Sequence, residues 1–490
     1  MEFVELFGLG HGSPVRCHSY IPTAHIRGVK LGHKMHVGFE NKCCLISNIG
    51  EYPETVTHET LDAGATLPAE AIDAIERAAT AAHPHEELFS ARAANIKQSA
   101  VRDVFDISMQ PGLVSLAGGN PYLQSLPLEK LGQTAARIIA EEGMTALQYG
   151  GGQGTEELRA QICDIMAAEG ITDARPENVV ITAGSQSAQD VATKVFCNPG
   201  DVVLVENPTY VGALNTFEAY QVQVEPVEMD DDGLVPELLA ARIAALQSEG
   251  KNIKFLYTIP NFNNPSGITL AQERRQRIVD ICREANIIVL EDNPYGLLRF
   301  DGHPIAPMRA ANPDDVIYLG SFSKIFAPGL RIGWALVPAH LQRRFYLASE
   351  AVTLCPPPLN QMIVSAYLRD YDWQGQIDTY RTLYSERCEA LLSALDEYMP
   401  EGLSWTRPAG GFFVWVTLPE GVDTYPLLGK AIDAGVVFIP GAAFSPADGP
   451  SNKLRLAFSA VPPDTIAEGV RRLAPVLTEA IKATTEGAAQ

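Results

Sequence analysis

The chain has no C-x-x-C pair, no surplus of basic residues and no apolar run long enough to cross a membrane. Each absence removes a class of function. The eight cysteines are scattered over 490 residues, which suits a reducing compartment better than a disulfide framework and makes the cytoplasm the expected location. Lysine and arginine number 37 against 59 aspartates and glutamates, for a formal net charge of -22. Nucleic acids and anionic membranes attract basic surfaces, so neither is expected as a partner. No apolar stretch approaches the roughly 18–20 residues of a spanning helix. The N-terminus lacks a basic segment followed by an apolar run, so no signal peptide is expected. Against these absences stand an ordinary apolar content of 46% and charged content of 20%. The length allows two or three domains with a sizeable core.

Residues 1–55 differ from the rest. They hold five of the ten histidines and three of the eight cysteines, without helical or strand periodicity. A metal site from Cys17, His18, His33, His36 and the Cys43–Cys44 pair would need spacings that zinc patterns do not show, so no metal is expected. This segment reads as an irregular extension, disordered or translated from a start codon placed too early. Residues 56–126 read as a helical arm, with an alanine-rich helix over 69–82 closed by His83-Pro84 and a second helical stretch over 86–105. The arm ends in S-L-A-G-G-N-P, Ser115 to Pro121, a tight turn where backbone comes close to something else. A helix then runs over 128–142. The glycines of Leu147 to Leu158 lack the preceding strand that a dinucleotide fingerprint requires.

From Asn178 strands alternate with helices. Strands are expected at 179–182, 202–205, 222–227, 255–259, 287–290 and 316–319. This predicts an α/β fold whose large domain, 127–350, carries a mostly parallel sheet of the seven-stranded type flanked by helices. The turn Ala183-Gly184-Ser185-Gln186 between strand and helix is an arrangement that binds phosphate, through free N–H groups and the positive end of the helix dipole. Polar clusters follow the strands where ligands bind in such sheets: Asn207 to Tyr210, Asn263 to Gly267, Glu291 to Tyr295, and Ser321 to Lys324. Each alone is also ordinary turn chemistry. The stretch Val316 to Trp334 delivers Lys324 to a strand end, with Arg331 seven residues on. Lysine forms Schiff bases with carbonyl compounds when burial or nearby cations lower its pKa. Residues 351–490 read as a smaller α/β unit, with strands near 409–416, 436–441 and 453–459, the last carrying Arg455.

Assembled, these residues resemble the pyridoxal-phosphate-dependent aminotransferases of fold type I, closest to the branch of 2-aminoadipate and kynurenine aminotransferases. The resemblance runs from about residue 100 to 477. It implies a pyridoxal 5'-phosphate cofactor held as a Schiff base by Lys324, which then moves the proton between substrate Cα and cofactor C4′. Asp292 resembles the carboxylate that pairs with the pyridine nitrogen. Tyr295 and Asn264 resemble the pair bonding the cofactor's 3′-oxygen, with Asn263 as the neighbouring register. Tyr210 resembles the aromatic that stacks on the ring. Ser185, Gln186, Ser321, Ser323 and Arg331 match the phosphate site, to which Tyr149 is added from the neighbouring subunit of a homodimer. Arg455 resembles the arginine that pairs with the substrate α-carboxylate, and Gly119 matches the glycine of the substrate-side loop. That loop departs from the commonest wording of the family.

The resemblance implies transfer of an amino group between an α-amino acid (aromatic, 2-aminoadipate or branched-chain type) and a 2-oxo acid such as 2-oxoglutarate. A lyase, racemase or decarboxylase would present the same lysine, aspartate and phosphate site. An effector-sensing regulator of the same fold would add a basic winged-helix segment, and the 115 residues before the Gly-Gly loop show none.

Overall fold

A computed structural model describes residues 85–94, 104, 107, 110–447 and 449–488. The extension over 1–55, its cysteines and histidines, and the expected helix over 69–82 lie outside the described residues. The chain divides into two units, Met1–Leu88 and Phe89–Gln490. The described part of the first contains a single 3-10 turn, Glu86–Leu88. The second holds a short helix, Ala91–Ala94, and all three sheets.

The main sheet follows from runs of β-branched and aliphatic residues that can be buried on both faces. Its strands are β2 (Val179–Thr182), β3 (Val202–Asn207), β4 (Gln223–Asp230), β5 (Gly233–Leu234), β6 (Ile253–Thr258), β7 (Ile288–Asp292), β8 (Val316–Ser321) and β9 (Gly333–Leu336). The spatial order is β2-β9-β8-β7-β6-β3-β4-β5. The five strands from β8 to β4 are parallel to one another. Strand β9 runs antiparallel between β8 and β2. Six of these strands, β2, β3, β4, β6, β7 and β8, fall at the expected positions, and β9 is the seventh. The eighth, β5, is a two-residue antiparallel edge, too short to show a period. Strand β4 runs to Asp230, past the expected end at 227. Its outer half (Glu-Met-Asp) lies near the sheet edge, where polar side chains are tolerated. The order reverses direction between β6 and β3, and a crevice opens beyond the carboxyl ends of strands at such a switch point.

Helices cover the sheet. The first two are α1 (Leu128–Ala146) and α2 (Glu156–Ala168), and no strand lies between them. Next come α3 (Ser185–Phe196), α4 (Val211–Ala219), α5 (Pro236–Ser248) and α6 (Gln272–Glu284). After the sheet come α7 (Ala339–Thr353), α8 (Pro358–Asp370) and α9 (Trp373–Tyr398), with α7 and α8 separated at the Cys355–Pro358 prolines. A four-stranded antiparallel sheet follows, ordered β10 (Ser404–Trp405), β11 (Phe413–Thr417), β14 (Lys453–Ala457), β13 (Ile439–Pro440). Arg455 sits on its inner strand β14, opposite Trp415 and Ile439. Strand β1 (Val114–Ser115) pairs in parallel with β12 (Val436–Val437), and the Ala457 N–H donates to Leu116 O at 2.7 Å. These bonds tie the Gly-Gly segment to the strand that carries Arg455. Among the described residues no helix is long and apolar enough to cross a membrane.

Candidate active site

The four polar clusters meet in one cavity of about 310 Å³ beyond the ends of the parallel strands. Gly119, Ser185, Gln186, Tyr210, Asn264, Asp292, Tyr295, Ser321, Ser323, Lys324, Arg331 and Arg455 all line it. Tyr149 does not. It lies in the glycine loop after α1 and is 77% exposed.

Lys324 follows β8 by three residues. Its Nζ donates to Gly119 O at 3.0 Å. Burial, with the facing Arg455 and Arg331 guanidiniums, holds its pKa down at about 8, while Asp292 pulls the other way. Asp292 ends β7. Its Oδ2 accepts from the Tyr257 hydroxyl and from Gln189 Nε2, each at 2.8 Å, whereas its buried Oδ1 has no partner. Burial pushes this carboxyl up to about 6, against those two hydrogen bonds and Lys324. A buried carboxylate oxygen with no donor is costly unless a ligand supplies one. Tyr295, three residues on, packs edge-on against Phe412 and Phe413.

Of the doubled asparagines, Asn264 is the one that lines the cavity. Its Oδ1 accepts from Arg455 Nη1 at 2.7 Å, whereas Asn263 turns inward to donate to Glu206 and to brace Ser266. Arg455 is 3% exposed and lies between the rings of Phe413 and Phe444, 4.2 and 4.8 Å from their centroids. Its Nη2 donates to Ala117 O at 2.6 Å, and its Nε has no partner. Gly119 is small for a reason of packing: a Cβ there would lie 2.5 Å from Phe413 Cζ.

The anion corner is built at the start of α3. Gly184 precedes the helix with φ +82, and a Cβ on it would come within 2.3 Å of Arg331 Nη2. Arg331 adopts the left-handed conformation and donates to Ala183 O at 2.9 Å. Ser321 Oγ accepts from the Ser323 N–H at 3.0 Å. The Gln186 side chain is committed elsewhere, donating to Gly212 O and Thr216 Oγ1, so its backbone N–H is what it offers an anion. Gly212 also leaves room for the Tyr210 ring, since a Cβ there would lie 2.4 Å from Tyr210 Cζ.

Sequence reasoning missed Gln189, Tyr257 and Phe413. Gln189 stands four residues after Ser185 on α3, hence on the same helix face. Tyr257 hides in an apolar strand, and only the tertiary fold shows that its hydroxyl meets a carboxylate.

Pyridoxal phosphate carries an aldehyde, a pyridine nitrogen and a phosphate. The cavity offers a buried amine with a lowered pKa, an unpaired carboxylate oxygen and a helix N-terminus beside an arginine. The residues present fit the group. Residues 111–473 match the family model described as aminotransferase class I and II. Aromatic-amino-acid aminotransferase 1 of Thermococcus litoralis is 39% identical over 81% of this chain and 96% of its own length. The kynurenine aminotransferase of Pyrococcus horikoshii, solved with kynurenine as substrate, superposes with a TM-score of 0.77 at 39% identity, over 80% of this chain and 98% of that one. The alpha-aminoadipate aminotransferase of Thermus thermophilus, solved with N-(5'-phosphopyridoxyl)-L-leucine, superposes at 0.74 with 34% identity, over 82% of this chain and all of that one. The chain thus belongs to the class I and II aminotransferases, and pyridoxal phosphate is its cofactor.

Proposed function

We propose that the enzyme moves an amino group between an α-amino acid and a 2-oxo acid such as 2-oxoglutarate, in two half-reactions. The observation that carries this reading is the opening of Lys324, Asp292 and Arg455 onto one cavity. When bound, pyridoxal phosphate supplies the aldehyde that takes up the amino group and the ring that stabilises charge at Cα. Asp292 Oδ1 would hold the pyridine nitrogen protonated, Tyr295 and Asn264 would bond the 3′-oxygen, and the Tyr210 ring would support the ring. The N–H groups of Ser185 and Gln186, with Ser321, Ser323 and Arg331, hold the phosphate. Arg455 would pair with the substrate α-carboxylate, and Lys324 would be the base that takes the proton from Cα and the acid that returns it. Gly119 leaves the carboxylate side open.

For the amino-acid side chain we favour aromatic, 2-aminoadipate or branched-chain donors. The relatives named above for aromatic amino acids, kynurenine and aminoadipate support this class. So do Ile259, Phe413 and Ile439, which give the cavity an apolar wall. The test is the absorbance of the cofactor-loaded enzyme on adding single amino acids without a keto acid. The visible band bleaches to that of the aminated cofactor and returns with 2-oxoglutarate, and the rates rank the donors. A band that shifts without reaching the aminated form would instead indicate a lyase, racemase or decarboxylase.

The enzyme acts, in this reading, as a homodimer in which Tyr149 of one copy reaches the phosphate of the other. Support comes from the exposed apolar side chains beside Tyr149 in the chain, Met144 at 90% and Leu147 at 68%. Exposed apolar clusters mark interfaces. Mixing Lys324→Ala with Tyr149→Ala subunits then rebuilds one intact site per mixed dimer. Activity rises above that of either parent, and no rise would place Tyr149 outside the partner's site. We also place the enzyme in the cytoplasm, where the free Cys163, Cys197, Cys282, Cys355 and Cys388 stay reduced. Cell fractionation checks this.

A further inference from the structure

Glu169 takes no part in the chemistry above, yet it is buried beneath the site. It caps the C-terminal end of α2 and is 4% exposed. A carboxylate is doubly disfavoured there, because burial strips its water and a helix C-terminus carries negative partial charge. Burial pushes its pKa up to about 7, against the hydrogen bonds of Tyr318 and Asn293. A residue kept under such conditions acts through its partners.

Those partners are two. Glu169 Oε2 accepts from the Tyr318 hydroxyl at 2.6 Å, and Oε1 accepts from Asn293 Nδ2 at 2.9 Å. Asn293 Nδ2 also reaches the Tyr318 oxygen at 3.2 Å, closing a triangle. Asn293 directly follows Asp292, and its N–H continues the sheet ladder to Leu319 O at 2.9 Å. Tyr318 lies on β8, three residues before Ser321 and six before Lys324. The network extends further: Asn293 Oδ1 accepts from Asn261 Nδ2 at 2.9 Å, and Asn261 Oδ1 accepts from the buried Arg275 of α6 at 2.7 Å. Asn261 stands three residues before Asn264. One buried polar chain therefore runs beneath the ends of β6, β7 and β8, the strands that deliver Asn264, Asp292 with Tyr295, and Ser321 with Lys324. The fit is close, since a Cβ on Gly296 would lie 2.2 Å from Glu169 Oε1 and 2.5 Å from Asn293 Nδ2.

We infer that Glu169 is a positioning residue: through Asn293 and Tyr318 it fixes the turn over 292–296, and with it the carboxylate and phenol that meet the cofactor ring. The inference rests on the roles proposed above for Asp292 and Tyr295. Glutamine at 169 keeps an acceptor for Asn293 and gives the Tyr318 oxygen a donor, whereas leucine removes the shared acceptor and leaves the two joined only by their own 3.2 Å contact.

The experiment compares Glu169→Leu, Glu169→Gln and Tyr318→Phe with wild type. It measures cofactor affinity, the kinetics of the loaded enzyme, melting temperature, and amide exchange of the cofactor-free chain over 293–296. Outlying groups that orient a site's contacts commonly matter by 10- to 100-fold, so Glu169→Leu weakens cofactor binding about tenfold and Tyr318→Phe about threefold, with Glu169→Gln near wild type. In the leucine variant kcat falls while KM for the amino acid holds, because Arg455 is untouched, and exchange over 293–296 speeds up. A lowered melting temperature with cofactor affinity and kcat unchanged in both Glu169→Leu and Tyr318→Phe would overturn the inference and leave a purely structural role. Should the leucine variant not fold, Tyr318→Phe decides, since it removes a single oxygen. Wild type that takes up no cofactor would instead sink the proposed function. Unchanged amide exchange in the cofactor-free leucine variant counts against the Glu169 link alone.

Discussion

Replacing Lys324 by alanine is expected to cut turnover by roughly 10²–10⁴-fold, the range over which a positioned proton-transfer group contributes. The loss falls on kcat, because the proton transfer by the amine follows substrate binding and Arg455 still holds the carboxylate. Single-turnover measurements on the loaded variant separate this from poor loading, and a residual rate within about tenfold of wild type would remove Lys324 from the proton transfer. The structure also sets the sign of the pH effect. With its pKa held down at about 8, the amine is protonated below that value and has no lone pair for the cofactor aldehyde. The rate of cofactor capture by the cofactor-free enzyme should therefore fall about tenfold per pH unit well below 8 and level off above it. An inflection near 10.5, the value of an ordinary lysine, would show that neither burial nor the two arginines act on the amine.

Arg455→Gln is expected to raise KM for both the amino acid and the 2-oxo acid by roughly 100-fold, because both carry the α-carboxylate. A two-pronged bond to a charged group is worth about 3 kcal/mol, which corresponds to that factor. The effect falls mainly on KM, since the carboxylate is held equally before and during reaction. Lysine at this position should recover less than about tenfold, because an ammonium cannot present two parallel N–H groups between the Phe413 and Phe444 rings. Steady-state kinetics with each substrate varied in turn provide the check. A KM change of less than about fivefold would move carboxylate recognition away from Arg455.

The parts of this account that were legible in the sequence share one property: the informative residue interrupts an apolar strand end. Lys324, Asp292 and Asn264 each follow a run of residues buried on both faces, so a polar side chain there has to meet something. Arg455 was legible only through the resemblance, since alternation along Lys453–Ala457 fits a surface strand equally well. Glu169, Gln189 and Tyr257 were not legible, because their partners lie 124 or more, 103 and 35 positions away respectively and no local pattern marks them. Strand β5 was missed because two residues carry no period, and β4 outran its expected end because an edge accepts polar side chains. The different directions of Asn263 and Asn264 needed the turn itself, which sends one amide toward Glu206 and the other toward Arg455.

The central claim is that Lys324 is the amine that holds the cofactor. Borohydride treatment of the loaded enzyme fixes the cofactor to whichever amine holds it, and digestion followed by mass analysis locates the modified residue. The account predicts a single modified position, Lys324, with loss of activity in proportion to the modification. Cofactor mass on another lysine, or on none, would contradict it.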